Sequence, residues 1–289
     1  MKPFIKWYGG KRRVLPKITG LLPEKITTYV EPFVGGGAVA CWVMERHAPA
    51  TVVLNDACAP LIAAWQAVAS NPAALIEETQ NLLTGYALAQ DKAEYYNRIR
   101  EQYNNYRLLG ERYPHGNGEY NVGSISAAFL FFNRTGFNGL YRVNSNTKAY
   151  NTPHVSHERT PRIDAENIMV LNKVLCRSII HYGDFEYTLS WAKLGAVFYF
   201  DPPYRGTAAG VYTAEEFDDA EHRRLAAFVR KCSRLGARCI VSVGDAGDGF
   251  FEELYDGFSF LRFNAMQTAA HRVDSRRPRP EMLIHNTLS

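Results

Sequence analysis

The sequence predicts an α/β protein built on an open, mostly parallel, Rossmann-like sheet that is interrupted by a helical insertion. Three observations carry this expectation. Short apolar runs at residues 29–30, 51–54, 178–181, 197–200 and 239–243 are rich in β-branched or aromatic residues and bounded by breakers, the pattern of strands buried on both faces. A glycine-rich turn, Gly35-Gly36-Gly37-Ala38-Val39-Ala40, follows the first run and opens a helix, as ligand-binding α/β sheets do. Between the second and third runs, residues 59–109 and 125–132 read as helix, with apolar residues at helical spacing (Leu61, Ile62, Trp65, Val68).

A length of 289 residues allows one large domain or two modest ones. The predicted boundaries are residues 1–57 and 165–289 for a discontinuous main domain and 58–164 for the insertion. The net charge of +4 is only mildly basic and permits a nucleic-acid partner without demanding one. Five scattered cysteines without a C-x-x-C pair argue against a disulfide framework or a zinc site. They suit a reducing cytoplasm. The N-terminus lacks the apolar stretch of a signal peptide, and no run approaches a membrane span. A soluble intracellular protein is expected.

Taken in order, Phe4-Ile5-Lys6-Trp7-Tyr8-Gly9-Gly10-Lys11 must turn at its glycine pair, and a helix is expected from Lys11 to about Leu22. The segment is not a P-loop, because Arg12 stands where Ser or Thr would hold a metal ion. The first strand runs into Glu31-Pro32-Phe33 and the glycines, with a helix to about Glu45. The second strand ends in Asn55-Asp56, an acid 21 residues after Gly35 and close to the distance expected of a ribose-binding carboxylate. Both a dinucleotide and an adenosyl-methionine site begin this way. The acid and proline before the glycines, and the absence of a second mononucleotide half, weigh against the dinucleotide.

The residues 133–144, Asn-Arg-Thr-Gly-Phe-Asn-Gly-Leu-Tyr-Arg-Val-Asn, form a polar segment with an aromatic, three Asn and two Arg. Arg and Asn are the side chains that read guanine and adenine edges, so a base-reading hairpin over about 133–154 is expected. A helix over 165–176, a strand at 178–181 and Tyr182-Gly183-Asp184-Phe185 follow. A helix is expected over 219–235, and closing strands over 258–263 and 281–286, with a basic loop carrying His271, Arg272, Arg276, Arg277 and Arg279 between them.

The most informative stretch is Val197-Phe198-Tyr199-Phe200-Asp201-Pro202-Pro203-Tyr204. The prolines stop a central strand and present Asp201 at its carboxyl end, where open sheets place their ligands. The tetrapeptide suits methylation of an exocyclic amine. Such a nitrogen is a poor nucleophile because its lone pair is delocalised into the ring. Asp201 and the Pro202 carbonyl can accept its two N–H hydrogens, and Tyr204 can stack on an extruded base.

These motifs together resemble the Dam-like family of N6-adenine DNA methyltransferases, the D12 class. The similarity spans essentially the whole chain: Phe4 to Lys11, Val30 to Gly37, Asn55-Asp56, Asn133-Arg134 with Phe137 to Asn144, and Asp201-Pro202-Pro203-Tyr204 fall in the family's order. The resemblance implies a class I methyltransferase sheet, mostly parallel with one reversed strand, and a target-recognition insertion. It implies S-adenosyl-methionine as cofactor, double-stranded DNA as partner, no metal, and methylation at N6 of a flipped-out adenine in a short specific site, for which GATC is one candidate. The catalytic residues expected are Asp201, Pro202 and Tyr204. The cofactor set is Trp7, Lys11, Glu31, Phe33, Gly35, Gly37, Asp56, Asp184, Phe185 and Asp201. The DNA set is Lys6, Arg134, Phe137, Asn138, Leu140, Arg142, Asn144 and Pro153. The sequence departs from the family at Phe137, at residues 148–155 and at Ser242-Val243-Gly244-Asp245. N4-cytosine methylation and a catalytically silent DNA-binding relative are the alternatives.

Overall fold

The computed structural model describes residues 1–112, 122–157, 161–207, 216–266 and 278–286. The expected basic loop lies mostly outside these residues, with only Arg279 inside. The strands are β1 (Thr28–Glu31), β2 (Thr51–Asp56), β3 (Ile179–Tyr182), β4 (Ala196–Phe200), β5 (Arg238–Gly244), β6 (Ser259–Met266) and β7 (Pro278–His285). The helices are α1 (Leu15–Thr19), α2 (Ala38–His47), α3 (Ala59–Ser70), α4 (Pro72–Leu88), α5 (Lys92–Arg112), α6 (Val122–Thr135), α7 (Ala165–Leu175), α8 (Asp219–Arg234) and α9 (Phe250–Leu254). No helix among the described residues is long and apolar enough to cross a membrane.

The chain forms two compact units. One holds residues 8–57, 178–207 and the described part of 216–289; the other holds residues 1–7 and the described part of 58–177. The sequence boundary at 164/165 assigns α7 to the first of these, whereas α7 lies in the second. The reason is packing: Asn172 Nδ2 donates to the carbonyls of Val68 and Ala69 at the end of α3, at 2.9 Å each. Residues 1–7 join the same unit through Lys2, whose N–H and carbonyl both bond the Asn167 side chain.

The sheet unit has strand order β3-β2-β1-β4-β5-β7-β6. β3, β2, β1, β4 and β5 are parallel, and β7 runs antiparallel to both neighbours. A mixed α/β architecture with one reversed strand is therefore present as expected. β4 is the middle strand and is buried along its whole length, which explains its unbroken apolar run. Its Phe198 and Phe200 rings stack at 5.7 Å and pack with Phe228 and Val229 of α8. α8 is amphipathic, burying Leu225, Phe228 and Val229, and Asp218 caps it by accepting the Glu221 N–H.

In the helical unit, α3, α4, α6 and α7 pack together, and Phe131 and Phe132 of α6 meet Tyr86, Tyr96 and Tyr103 edge-on. Much of the chain's aromatic content is consumed here as core.

Candidate active site

The sheet unit gathers its polar residues at the carboxyl ends of β1, β2, β3 and β4. Gly35 and Gly37 adopt positive φ (46° and 67°) after β1, a backbone that disfavours any side chain. The Gly35 N–H donates to Asp56 Oδ2 at 2.9 Å, so the acid ending β2 fixes the glycine turn. Asn55 is the keystone beside it. Its Nδ2 donates to the carbonyls of Pro32 and Gly183, at 3.0 Å each, and its Oδ1 meets His181 Nδ1 at 2.8 Å. One buried amide thus ties the exits of β1, β2 and β3. The sequence reading noted Asn55 only as the neighbour of Asp56, because its partners lie far off in the chain.

Glu31 is buried, and the Tyr29 hydroxyl donates to its Oε2 at 2.7 Å. Burial holds its carboxyl well above the ordinary range. Asp184 caps the 3-10 turn Phe185–Trp191 by accepting the Glu186 N–H. Its two oxygens also take both terminal nitrogens of Arg224 at 2.9 and 2.7 Å, and those bonds lower its pKa. Phe185 is buried against Phe33, ring centroids 5.5 Å apart, leaving Phe33 half-buried at the site.

At the end of β4, Lys11 Nζ lies 2.8 Å from Asp201 Oδ1, donates to the Gly9 carbonyl at 2.9 Å, and sits 4.7 Å from the centre of the Tyr204 ring. Burial drives the Asp201 pKa up to about 6, opposed by the neighbouring ammonium. Burial by itself would lower the Lys11 pKa, but Asp201 reverses the outcome and the net shift is upward. At neutral pH the pair is ionised. The Tyr204 ring also meets Gly244: a Cβ there would lie 3.1 Å from Tyr204 Cδ2. The missing side chain of Gly244 thus leaves room for the ring. Arg205 next to it is clamped by Asp219, with Nη2 to Oδ2 at 2.8 Å, and by Asp248.

Asp201, Tyr204, Lys11, Glu31, Phe33, Gly35, Gly37, Asp56, Asp184, Phe185 and Pro202 therefore all belong to one unit, at or beside its strand exits. Trp7 lies in the other unit, stacked on Tyr141 with centroids 6.4 Å apart.

In the helical unit residues 136–154 pair back on themselves as a hairpin. Phe137 N–H bonds the Pro153 carbonyl at 3.0 Å, Asn151 N–H bonds the Arg142 carbonyl at 3.0 Å, and Val143 pairs with Tyr150. Asn144 closes the tip by accepting the N–H groups of Asn146 and Thr147. Lys6, Asn138, Arg142, Asn144 and Pro153 are exposed, Phe137 is half-buried and Leu140 is buried. Arg134 turns inward and donates to the Phe4 carbonyl at 2.7 Å. Asn133 anchors the hairpin: its amide bonds the Lys6 N–H, the Lys6 carbonyl and the Gly139 carbonyl at 2.9, 2.7 and 2.9 Å. Burial, helped by the Arg134 charge, lowers the Lys6 pKa.

The family model for D12 class N6 adenine-specific DNA methyltransferases matches residues 7–269, spanning both the strand-exit residues and the hairpin. The chain belongs to this family. Relatives of similar length agree. A type II methyltransferase, M.MjaIII, of Methanocaldococcus jannaschii is 32% identical, covering 99% of both chains. M1.LlaDCHI of Lactococcus lactis subsp. cremoris is 32% identical over 99% of this chain and 95% of its own. A DNA adenine methylase of Haemophilus influenzae is 28% identical over 95% and 90%. As a D12 enzyme the chain is an adenine-specific DNA methyltransferase that uses a methyl donor. Among its described residues no cluster of three or more His, Cys, Asp or Glu is placed to hold a metal ion.

Proposed function

We infer that this enzyme transfers the methyl group of S-adenosyl-methionine to N6 of an adenine flipped out of double-stranded DNA, acting in the cytoplasm on bacterial or phage DNA. The observation that carries the reading is the placement of Asp201 at the exit of the central strand, paired with the Lys11 ammonium that also lies over the Tyr204 ring.

The strand exits fit the cofactor. The positive-φ turn at Gly35 and Gly37 leaves a cradle free of side chains. Asp56, already ordering that turn, is the acid for ribose hydroxyls, and Phe33 offers a half-buried ring to the adenine. Asp184 and Glu31 support rather than bind through their carboxylates, since Arg224 and Tyr29 occupy them. S-adenosyl-methionine supplies an electrophilic methyl carried on a sulfonium.

The chain's own residues prepare the nucleophile. Asp201 accepts one N6–H and the Pro202 carbonyl accepts the other, which draws the nitrogen lone pair out of the ring. The Asp201 charge also stabilises the positive charge that develops on N6, the kind of fixed electrostatic support that costs no reorganisation at the moment of reaction. Tyr204 stacks on the base. Arg142, Asn138 and Asn144, exposed on the hairpin, read the flanking sequence, with Lys6 and Pro153 against the backbone.

The test is the product. Unmethylated duplex DNA is incubated with enzyme and methyl-labelled cofactor, then digested to nucleosides and analysed by mass spectrometry. Label in N6-methyladenine is expected. Label in N4-methylcytosine would reassign the base, and no label in any nucleoside would make the chain a silent DNA-binding relative.

A further inference from the structure

Two requirements of the proposed chemistry conflict with the contacts of Lys11. Asp201 Oδ1 is to accept an amine hydrogen, yet it already holds the Lys11 ammonium at 2.8 Å. The Tyr204 ring is to stack on a base, yet the same ammonium lies 4.7 Å from its centre. Asp201 has a second oxygen and the ring a second face, so Lys11 need not leave the site, but the amine draws most on the Asp201 charge when the ammonium has another carboxylate to share. Lys11 keeps the Gly9 carbonyl, but a buried ammonium without a counter-charge carries a large desolvation cost.

The nearby acids differ in what they can offer. Glu31 is occupied by the Tyr29 hydroxyl and Asp56 by the Gly35 N–H. Asp245, following β5, holds Arg262 at 3.1 Å and the Gly247 N–H. Glu281 is different. It enters from β7, paired in register with Gly244, the residue that touches the Tyr204 ring. It is buried, and its Oε2 accepts no hydrogen bond. Lys11, Asp201 and Tyr204 all feel its charge. A shielded carboxylate oxygen without a donor is a standing cost to the fold, and the arrival of Lys11 would offset it.

We propose that Glu281 is the second anchor of Lys11, a positioning residue that takes the ammonium when Asp201 turns to the substrate amine. The inference rests on the reading of Asp201 given above. Glu281 does not touch the reacting atoms; it acts through Lys11.

The experiment is a pair of double-mutant cycles on the full chain, with the Glu281→Gln, Lys11→Met and Asp201→Asn variants checked for folding by circular dichroism. In single-turnover methylation of unmethylated plasmid DNA, Glu281→Gln is expected to slow the reaction about tenfold or more, the usual size of losing a charged hydrogen-bond partner. Cofactor affinity by calorimetry stays unchanged. The same substitution in a Lys11→Met background should add no further loss, since the two residues act as a unit. A wild-type rate for Glu281→Gln, or an equal further loss in the Lys11→Met background, would overturn the proposal. A second cycle needs no activity. Once Asp201→Asn has removed the resting partner, Glu281→Gln should lower the melting temperature more than it does in the wild type. An equal or smaller drop would also overturn the role of Glu281. Failure of the wild type to methylate adenine would count against the reading of Asp201 instead, and the melting cycle would still decide on Glu281.

Discussion

The Lys11 ammonium lies 2.8 Å from Asp201 Oδ1 and 4.7 Å from the centre of the Tyr204 ring, so one buried cation touches both side chains to which the chemistry is assigned. Lys11 and the tetrapeptide at residues 201–204 thus form one electrostatic unit. Its pH behaviour follows directly. Asp201 has its pKa raised by burial to about 6, and only the ionised carboxylate can accept an amine hydrogen at both oxygens. The single-turnover rate should be flat above about pH 7 and fall roughly tenfold per pH unit below about 6. A profile that stays flat down to about pH 4.5 would mean that Asp201 is not the group titrating.

Removing the cation should be costly in a pH-dependent way. Lys11→Met leaves the half-buried Asp201 without its partner, and breaking a buried pair costs up to about 3–5 kcal/mol at neutral pH. Loss of the ammonium raises the folded pKa of Asp201 further above its unfolded value. Stability tied to such a group is present at low pH and lost as pH rises through the folded pKa. The deficit of Lys11→Met, measured by denaturant melts, should therefore shrink on acidification to about pH 5. A deficit of the same size at both pH values would mean the pair contributes through packing alone.

Asp56→Ala should weaken S-adenosyl-methionine binding in two ways, by removing the ribose acceptor and by releasing the Gly35 N–H that it orders. Calorimetry would show the loss, while DNA affinity without cofactor stays unchanged. Unaltered cofactor affinity would reduce Asp56 to a turn residue.

The hairpin offers two separable tests. Asn133→Ala removes three hydrogen bonds that tie Lys6 and Gly139 together, at a cost of about 3 kcal/mol, and should loosen DNA binding on every sequence. Arg142→Ala removes an exposed side chain and should instead relax the requirement at one base pair, worth about 1–3 kcal/mol of discrimination. Methylation of a library of single-base site variants distinguishes them. A uniform drop with Arg142→Ala would make it a phosphate contact.

How much of this was legible in the sequence depends on how local each signal is. β4 and its exit were legible, because an apolar run and two prolines are enough to end a buried strand. The glycine turn and Asp56 were legible from spacing. The helix expected from Lys11 to about Leu22 is instead a 3-10 turn at Lys11–Arg13 followed by α1, ending at Thr19. Pro16 has no N–H to return to Arg12, so it opens a new first turn rather than continuing an old one. The 3-10 turn after Asp184 and the short α9 escaped notice, being too brief for periodicity to register. Asn55, Asn133 and Glu281 were the least legible. Asn55 meets partners 23, 126 and 128 residues away, and no window of sequence contains that information. Glu281 reads in sequence as an ordinary acid at the start of a closing strand, and only a buried oxygen without a hydrogen bond sets it apart.

The proposed chemistry turns on an ionised Asp201 that accepts the substrate amine. It is tested most directly by the single-turnover rate of Asp201→Asn at neutral pH on unmethylated duplex DNA, with enzyme and cofactor saturating. The substitution keeps size and shape but removes the charge that supports the developing positive nitrogen. The predicted result is a folded protein with unchanged DNA affinity and a rate reduced by roughly 10²-fold or more. Methylation of adenine by Asp201→Asn at close to the wild-type rate would contradict it.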